Sequence, residues 1–281
     1  MDAYLTSTAD ARSPRILYGT AWKKDDTESL VRTALLQGFR GIDTACQPKH
    51  YNEPGVGAGV AAFLTSGGEL TREDLYLQTK FTSLTGQDPL RVPYDPKAPL
   101  AEQVRQSCAV SLRNLRTDYL DCLVLHSPMP SARQTLEVWQ TMESLVDSDE
   151  VRQLGISNCY RLDELEALFD SARLKPAVVQ NRFYADTGYD REIRAFCRHH
   201  GIIYQSFWTL SANPRVLAHR TVLELAAKYR RTPAQILFRY LTQNDIVPLT
   251  GTRAVPHMRE DLGIFEFELT EFEREVMEVL L

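Results

Sequence analysis

The sequence predicts an α/β protein built as one (β/α)8 barrel of the TIM type, and three observations carry that expectation. Short apolar runs and amphipathic segments alternate from one end of the chain to the other. Several runs hold their apolar residues in succession rather than in alternation, as strands covered on both faces do. The runs number eight in 281 residues, which suits a single barrel domain over 1–281 better than two dinucleotide-binding halves. The Gly-x-Gly-x-x-Gly turn of such halves is also missing after the first run.

In chain order, the expected strands are 16–18, 38–42, 75–79, 119–125, 151–156, 177–181, 202–206 and 246–249. Between the first two, 27–37 places Leu30, Ala34 and Leu35 on one helical side, with Gly38 as a stop. After the third, 101–115 carries Val104, Cys108, Leu112 and Leu115 at three- and four-residue spacing. Segments 163–169 and 233–241 repeat the pattern, the latter opening with Thr232-Pro233, a helix-start signal. Strand and helix alternating in one direction imply right-handed crossovers and a parallel sheet. Two connections break the rhythm: 82–100, with Pro89, Pro93, Pro96 and Pro99, and 207–219. Loops that follow barrel strands carry function, so both are expected to line or roof a site.

Composition bounds the function classes. Hydrophobic residues at 43%, charged residues at 25% and a net charge of −5 describe an ordinary globular chain. They give no electrostatic reason to expect nucleic acid or an anionic membrane as partner. Cys46, Cys108, Cys122, Cys159 and Cys197 are odd in number and contain no C-x-x-C pair. Reduced thiols are therefore expected rather than a disulfide framework or a metal knuckle, and no metal site is expected. The opening MDAYLTSTADARSPR lacks the apolar core of a secretory signal, and no run is long enough to span a bilayer. A cytoplasmic address and a monomer are the expectations.

The strand ends hold the chemistry. The second ends in Gly41-Ile42-Asp43, followed by a loop with His50-Tyr51; the third ends in Lys80, and the fourth in His126. The C-terminal ends of barrel strands face one cavity, so Asp43, Tyr51, Lys80 and His126 are expected to converge there. A free phenol is a poor acid at neutral pH. A neighbouring ammonium is expected to lower its pKa, with Asp43 keeping the buried lysine charged and His126 orienting a carbonyl. None of these side chains can supply a hydride, so a cofactor must. Trp22, Phe81 and Trp208 are expected to wall the mouth, suiting aryl, alicyclic or polyketide-like carbonyls.

Across essentially its whole length the chain resembles the aldo-keto reductase family, through the blocks GIDTA…HYNEPGVG, LQTKF, LVLHSP, VRQLGISN, VVQNRF and GTR…HMREDL. The resemblance implies reduction of an aldehyde or ketone by NADPH, or NADH, with Asp43, Tyr51, Lys80 and His126 as catalytic tetrad and Tyr51 as general acid. It implies Ser157, Asn158 and Gln180 at the nicotinamide carboxamide and Phe207 stacked on its ring. It further implies cofactor contacts at Thr20, Ala21, Asp43, Leu210, Thr250, Gly251, Thr252, Arg253, His257, Glu260 and Asp261. Trp22, Phe81, His126 and Trp208 would meet a small carbonyl substrate.

Two departures stand out. The stretch between Asp43 and Tyr51 is slightly longer than the family norm. At the end of the eighth strand, Gly251 and His257 stand near where many relatives place a Lys and an Arg, which leaves Arg253 as the nearest strong cation for a cofactor 2′-phosphate. A second reading, a cofactor-binding, redox-sensing regulatory subunit with little turnover, is opposed by the complete tetrad. A metal-dependent lyase or hydrolase is opposed by the lack of metal-ligand spacing.

Overall fold

The computed structural model describes residues 4–281; the first three residues of the expected domain lie outside it. The chain opens with an antiparallel hairpin, β1 (Tyr4–Thr6) and β2 (Arg12–Pro14). The barrel strands follow: β3 (Leu17–Gly19), β4 (Gly41–Asp43), β5 (Tyr76–Phe81), β6 (Cys122–Leu125), β7 (Leu154–Ser157), β8 (Val178–Arg182), β9 (Ile203–Phe207) and β10 (Ile246–Thr250). Each pairs in parallel with the next, and β10 closes on β3 through Leu249↔Leu17 and Thr250↔Tyr18. All eight expected strands are present, and the barrel is the expected one.

The helices are α1 (Thr27–Gln37), α2 (Glu53–Leu64), α3 (Leu100–Leu115), α4 (Ala132–Asp147), α5 (Leu162–Ser171), α6 (Arg191–His200), α7 (Pro214–Leu217), α8 (Arg220–Tyr229), α9 (Pro233–Gln243), α10 (Val255–Leu262) and α11 (Glu271–Glu278). Local chemistry explains several ends. Gly38 closes α1 at φ 118°, a left-handed conformation open to glycine. Thr232 and Gln235 form a capping box at the start of α9, with Pro233 in its first turn. Helix α2 is hidden in the sequence by Gly55, Gly57 and Gly59, residues poor in helix propensity. They serve packing instead: a Cβ on Gly57 would stand 2.0 Å from the Asn114 carbonyl oxygen, and one on Gly59 2.6 Å from that of Glu28.

Two apolar layers result. Leu17, Tyr76, Cys122, Val124, Val178, Ile203 and Val247 fill the barrel interior. A larger layer between sheet and helices includes Leu77, Phe81, Trp139 and Phe238. The hairpin, whose three-residue strands are too short to show periodicity, lies against the interior: Leu5 packs on it and Ser7 Oγ donates to Gln153 Oε1 at 2.6 Å. All five cysteines are buried and unpaired. Among the described residues, no helix is long and apolar enough to cross a membrane.

Candidate active site

A cavity of ≈ 650 Å³ opens at the C-terminal ends of the strands, with Asp43, Tyr51 and His126 on its wall and Lys80 buried beneath. Strand alternation explains the lysine. Tyr76, Gln78 and Lys80 share the inner face of β5, while Leu77, Thr79 and Phe81 face the helices. Lys80 Nζ reaches both Asp43 oxygens, at 2.7 and 2.6 Å, and the Thr44 carbonyl at 2.8 Å. Asp43 Oδ1 also accepts from Gln78 Nε2 at 2.7 Å and from Gln180 Nε2 at 2.9 Å. Both amide nitrogens donate to Gln205 Oε1 as well, and Gln205 Nε2 returns a bond to Gln78 Oε1. The buried ion pair therefore sits against a ring of hydrogen-bonded amides, a condition under which burying charge is tolerable.

The longer loop still delivers Tyr51 to the cavity. Its ring stands edge-on to His126, with centroids 6.1 Å apart, and Lys80 Nζ lies 5.4 Å from the ring centroid. Two amides tie this loop to the connection after β5: Gln47 Nε2 donates to the Gly86 carbonyl at 2.7 Å, and Gln87 Nε2 to the Cys46 carbonyl at 2.9 Å. Glu53, two residues past Tyr51, is buried and accepts from Thr79, Ser111 and Asn114. One expectation is corrected here. Burial, followed by the Asp43 carboxylate, raises the Tyr51 phenol above its ordinary pKa, so the net shift is upward although the Lys80 ammonium is close by. The ammonium is held on Asp43 and the Thr44 carbonyl.

His126 is kept neutral: burial, with help from the Lys80 and His50 charges, pulls its pKa down to about 3. Its Nδ1 lies 2.6 Å from Thr82 Oγ1. That hydroxyl has no other hydrogen-bond partner among the described residues. Asn158, at φ 52°, donates to the His126 carbonyl at 2.8 Å, and Ser157 Oγ to the Gln180 carbonyl at 2.6 Å. Trp22 (φ 63°) and Trp208 (φ 57°) flank the opening, both half exposed. Three non-glycine residues in the left-handed region around one cavity mark a site whose backbone is held under strain.

Of the remaining expected residues, Ala21, Gln180, Phe207, Leu210, Thr250, Gly251, Thr252, His257, Glu260 and Asp261 line the same cavity. Asp261 is buried under a bond from Thr250 Oγ1, and that burial raises its pKa to about 6. Three expected residues are elsewhere. Thr20 is fully buried and turned onto the Asp43 carbonyl at 2.9 Å. Phe81 points outward into the helix layer, 5.8 Å from the Tyr94 ring. Arg253 lies outside the cavity wall, its guanidinium on Asp26 at 2.6 Å and on the Trp22 carbonyl at 2.9 Å.

The sequence reading missed Gln47, on the cavity wall, and Thr82, against His126. Thr82 was findable by register, since it shares the face of Lys80 one step further along; Gln47 sits in a loop where no periodicity points inward. Lys23 Nζ reaches the Gly251 carbonyl at 2.7 Å. Together the groups can hold one ionised acid–base pair, a protonated phenol and a neutral imidazole around a reacting carbonyl.

The model of the aldo/keto reductase family matches residues 15–279. An aldo-keto reductase of Mycolicibacterium paratuberculosis is 32% identical over 273 residues, covering 96% of this chain and 87% of that protein. A glyoxal reductase of Bacillus subtilis is 29% identical over 254 residues, covering 90% and 83% respectively. The crystal structure of an aldo/keto reductase from Brucella melitensis superposes at a TM-score of 0.85 with 25% identity, over 99% of both chains.

Proposed function

Since the chain belongs to the aldo/keto reductase family, we propose that this oxidoreductase reduces an aldehyde or ketone with NADPH, with Tyr51 giving the proton. The observation that supports this reading most directly is the meeting of Asp43, Tyr51, Lys80 and His126 at the base of one cavity. The nicotinamide cofactor, when bound, supplies the hydride. The lining fits such a group. Phe207 offers a ring, the Gln180 side-chain oxygen is left without a donor by its neighbours, and the N-terminus of α9 adds Thr232, Pro233 and Ala234 to the wall. A helix N-terminus favours an anion, here a cofactor phosphate.

The residues divide the remaining work. Thr82 has one acceptor for its hydroxyl proton, Nδ1 of His126, so the imidazole carries its own proton on Nε2. From there it donates to the substrate carbonyl oxygen and fixes that oxygen next to the Tyr51 hydroxyl. The phenol, kept protonated by burial and Asp43, holds its proton until negative charge develops on the oxygen. As the phenolate forms, the Lys80 ammonium is the nearest cation to stabilise it.

The test is Tyr51→Phe, which keeps the ring and removes the acid. Cofactor affinity should survive while turnover, followed by loss of reduced-cofactor absorbance on a panel of aldehydes and ketones that includes glyoxal, falls about 10²–10⁴-fold. A variant that keeps most of the wild-type rate overturns the assignment. Wild type that binds cofactor and turns over no carbonyl returns the regulatory-subunit reading.

A further inference from the structure

Strand β8 sends alternate side chains into the barrel. Gln180, which donates to Asp43 at 2.9 Å, shares its inner face with Arg182, while Asn181 between them turns outward onto Asp190 at 2.7 Å. Arg182 therefore stands one inward step above the floor of the site, roughly 7 Å nearer the mouth. There its guanidinium carbon lies 4.1 Å over the ring of Trp208 and 5.2 Å over that of Tyr184. Trp208 lines the cavity and is half exposed, so the guanidinium beside it occupies the rim.

This cation has no counter-ion. Among the described residues the half-buried Arg182 side chain makes no ion pair and donates no hydrogen bond, and its Nε is covered without an acceptor. Other arginines that are not exposed, Arg15, Arg72 and Arg194 among them, each reach a carboxylate. Asp190, on the far side of the same strand, is taken by Asn181 and Tyr204. The aromatic rings favour the charge and hold it in place, yet they leave the donors of the guanidinium edge unused. A chain of bonds ties Arg182 to the catalytic side of the cavity. Its backbone N–H donates to Tyr160 Oη at 3.1 Å, Tyr160 Oη to Asn158 Oδ1 at 3.1 Å, and Asn158 Nδ2 to the His126 carbonyl at 2.8 Å. We propose that Arg182 is a specificity residue that receives a carboxylate carried by the carbonyl substrate at the end remote from the reacting carbon. This rests on the carbonyl-reduction reading above. A planar fork held by ring faces meets a planar carboxylate with two parallel bonds, whereas a neutral substrate leaves its donors unused. Trp208 then forms the base of the subsite, and the mouth selects acidic aldehydes or ketones over purely apolar ones.

The experiment compares para- and meta-carboxybenzaldehyde with their methyl esters at saturating NADPH, in wild type, Arg182→Met and Arg182→Lys. NADPH affinity is followed separately by quenching of tryptophan fluorescence. In wild type, kcat/KM should favour the acid over its ester by about tenfold or more in at least one pair. In Arg182→Met that ratio should fall about ten- to hundredfold, through a higher KM for the acid. Arg182→Lys keeps the charge without the fork and should lie between the two. Wild type that reduces the esters as well as the acids overturns the proposal, as does a Lys variant no better than Met. A Met variant that loses acid and ester equally overturns it too, since Arg182 then only supports Trp208. So does a Met variant that binds NADPH more weakly with its acid-to-ester ratio unchanged, because the cation then meets the cofactor. Wild type that reduces none of the four overturns this proposal and, if glyoxal is also untouched, the carbonyl-reduction reading with it.

Discussion

At the scale of single residues, the site depends on groups that hold other groups. In the proposed mechanism Thr82 is a positioning residue: its hydroxyl, 2.6 Å from His126 Nδ1, would fix which imidazole nitrogen carries the proton. Thr82→Val removes that control with little change in volume. Turnover should fall about tenfold or more while cofactor affinity stays constant, and nitrogen NMR of the imidazole should show a mixture of tautomers. Thr82→Ser should restore both; a Val variant with unchanged tautomer and rate would refute the role. Asp43, Tyr51, Lys80 and His126 were legible in the sequence because three of them end apolar runs, and barrel topology sends all such ends to one place. Phe81 was misread although the same register contained the answer: if Lys80 points inward, its neighbour on β5 points out. The direction of the Tyr51 shift was not legible, because it depends on how completely the fold buries the ring and on the Asp43 carboxylate brought near it.

At the scale of elements, glycine spacing sets how closely helices approach. In α2, Gly57 meets the backbone of α3, with Asn114 O 2.0 Å and the Leu115 Cα 2.8 Å from where a Cβ would stand. Gly57→Ala gains about 1 kcal/mol of helix propensity, yet it drives a methyl into backbone that cannot yield without moving α3. Overpacking of this kind costs about 1–3 kcal/mol or more, so the net effect should be a lower urea midpoint. Gly68→Ala, with nothing nearer than 4.0 Å, is the control expected to be close to neutral. Helix α9 could be read from Thr232-Pro233 and its apolar stripe, whereas α2 could not. Its helicity comes from contacts with α1 and α3 that no local pattern contains. The paired bonds of Gln47 and Gln87 belong to the same class: each joins loops some forty residues apart.

At the scale of the whole molecule, the barrel was legible because eight buried strands leave a periodic trace, and the hairpin beneath it was not, because three residues leave none. The contact between the loops after β3 and β10 was not legible either: Lys23 and Gly251 are 228 positions apart, and no local pattern joins them. Stability should follow pH through His126. Its folded pKa is about 3, against about 6.5 for an unfolded chain. Between those values the unfolded chain binds the extra proton, so this contribution is complete above about pH 6.5 and is lost as pH falls toward about 3. It amounts to a few kcal/mol at most, because one edge of the ring meets the cavity. Urea midpoints near pH 7 and near pH 4.5 should differ less in His126→Gln than in wild type; an equal gap would show that the imidazole is not responsible. Last, the polar side chains inside the barrel form one connected column. It runs from Ser7 through Gln153, Tyr76 and Gln78 to Asp43, with Gln180 and Gln205 closing a ring at its upper end. Each member satisfies its neighbours, so replacing any one alone strands a buried donor or acceptor, while replacing several together with apolar groups need not. The interior can thus be rewritten in a descendant of this gene only in concerted steps, and the floor of the active site resists gradual drift more than the apolar layer around it.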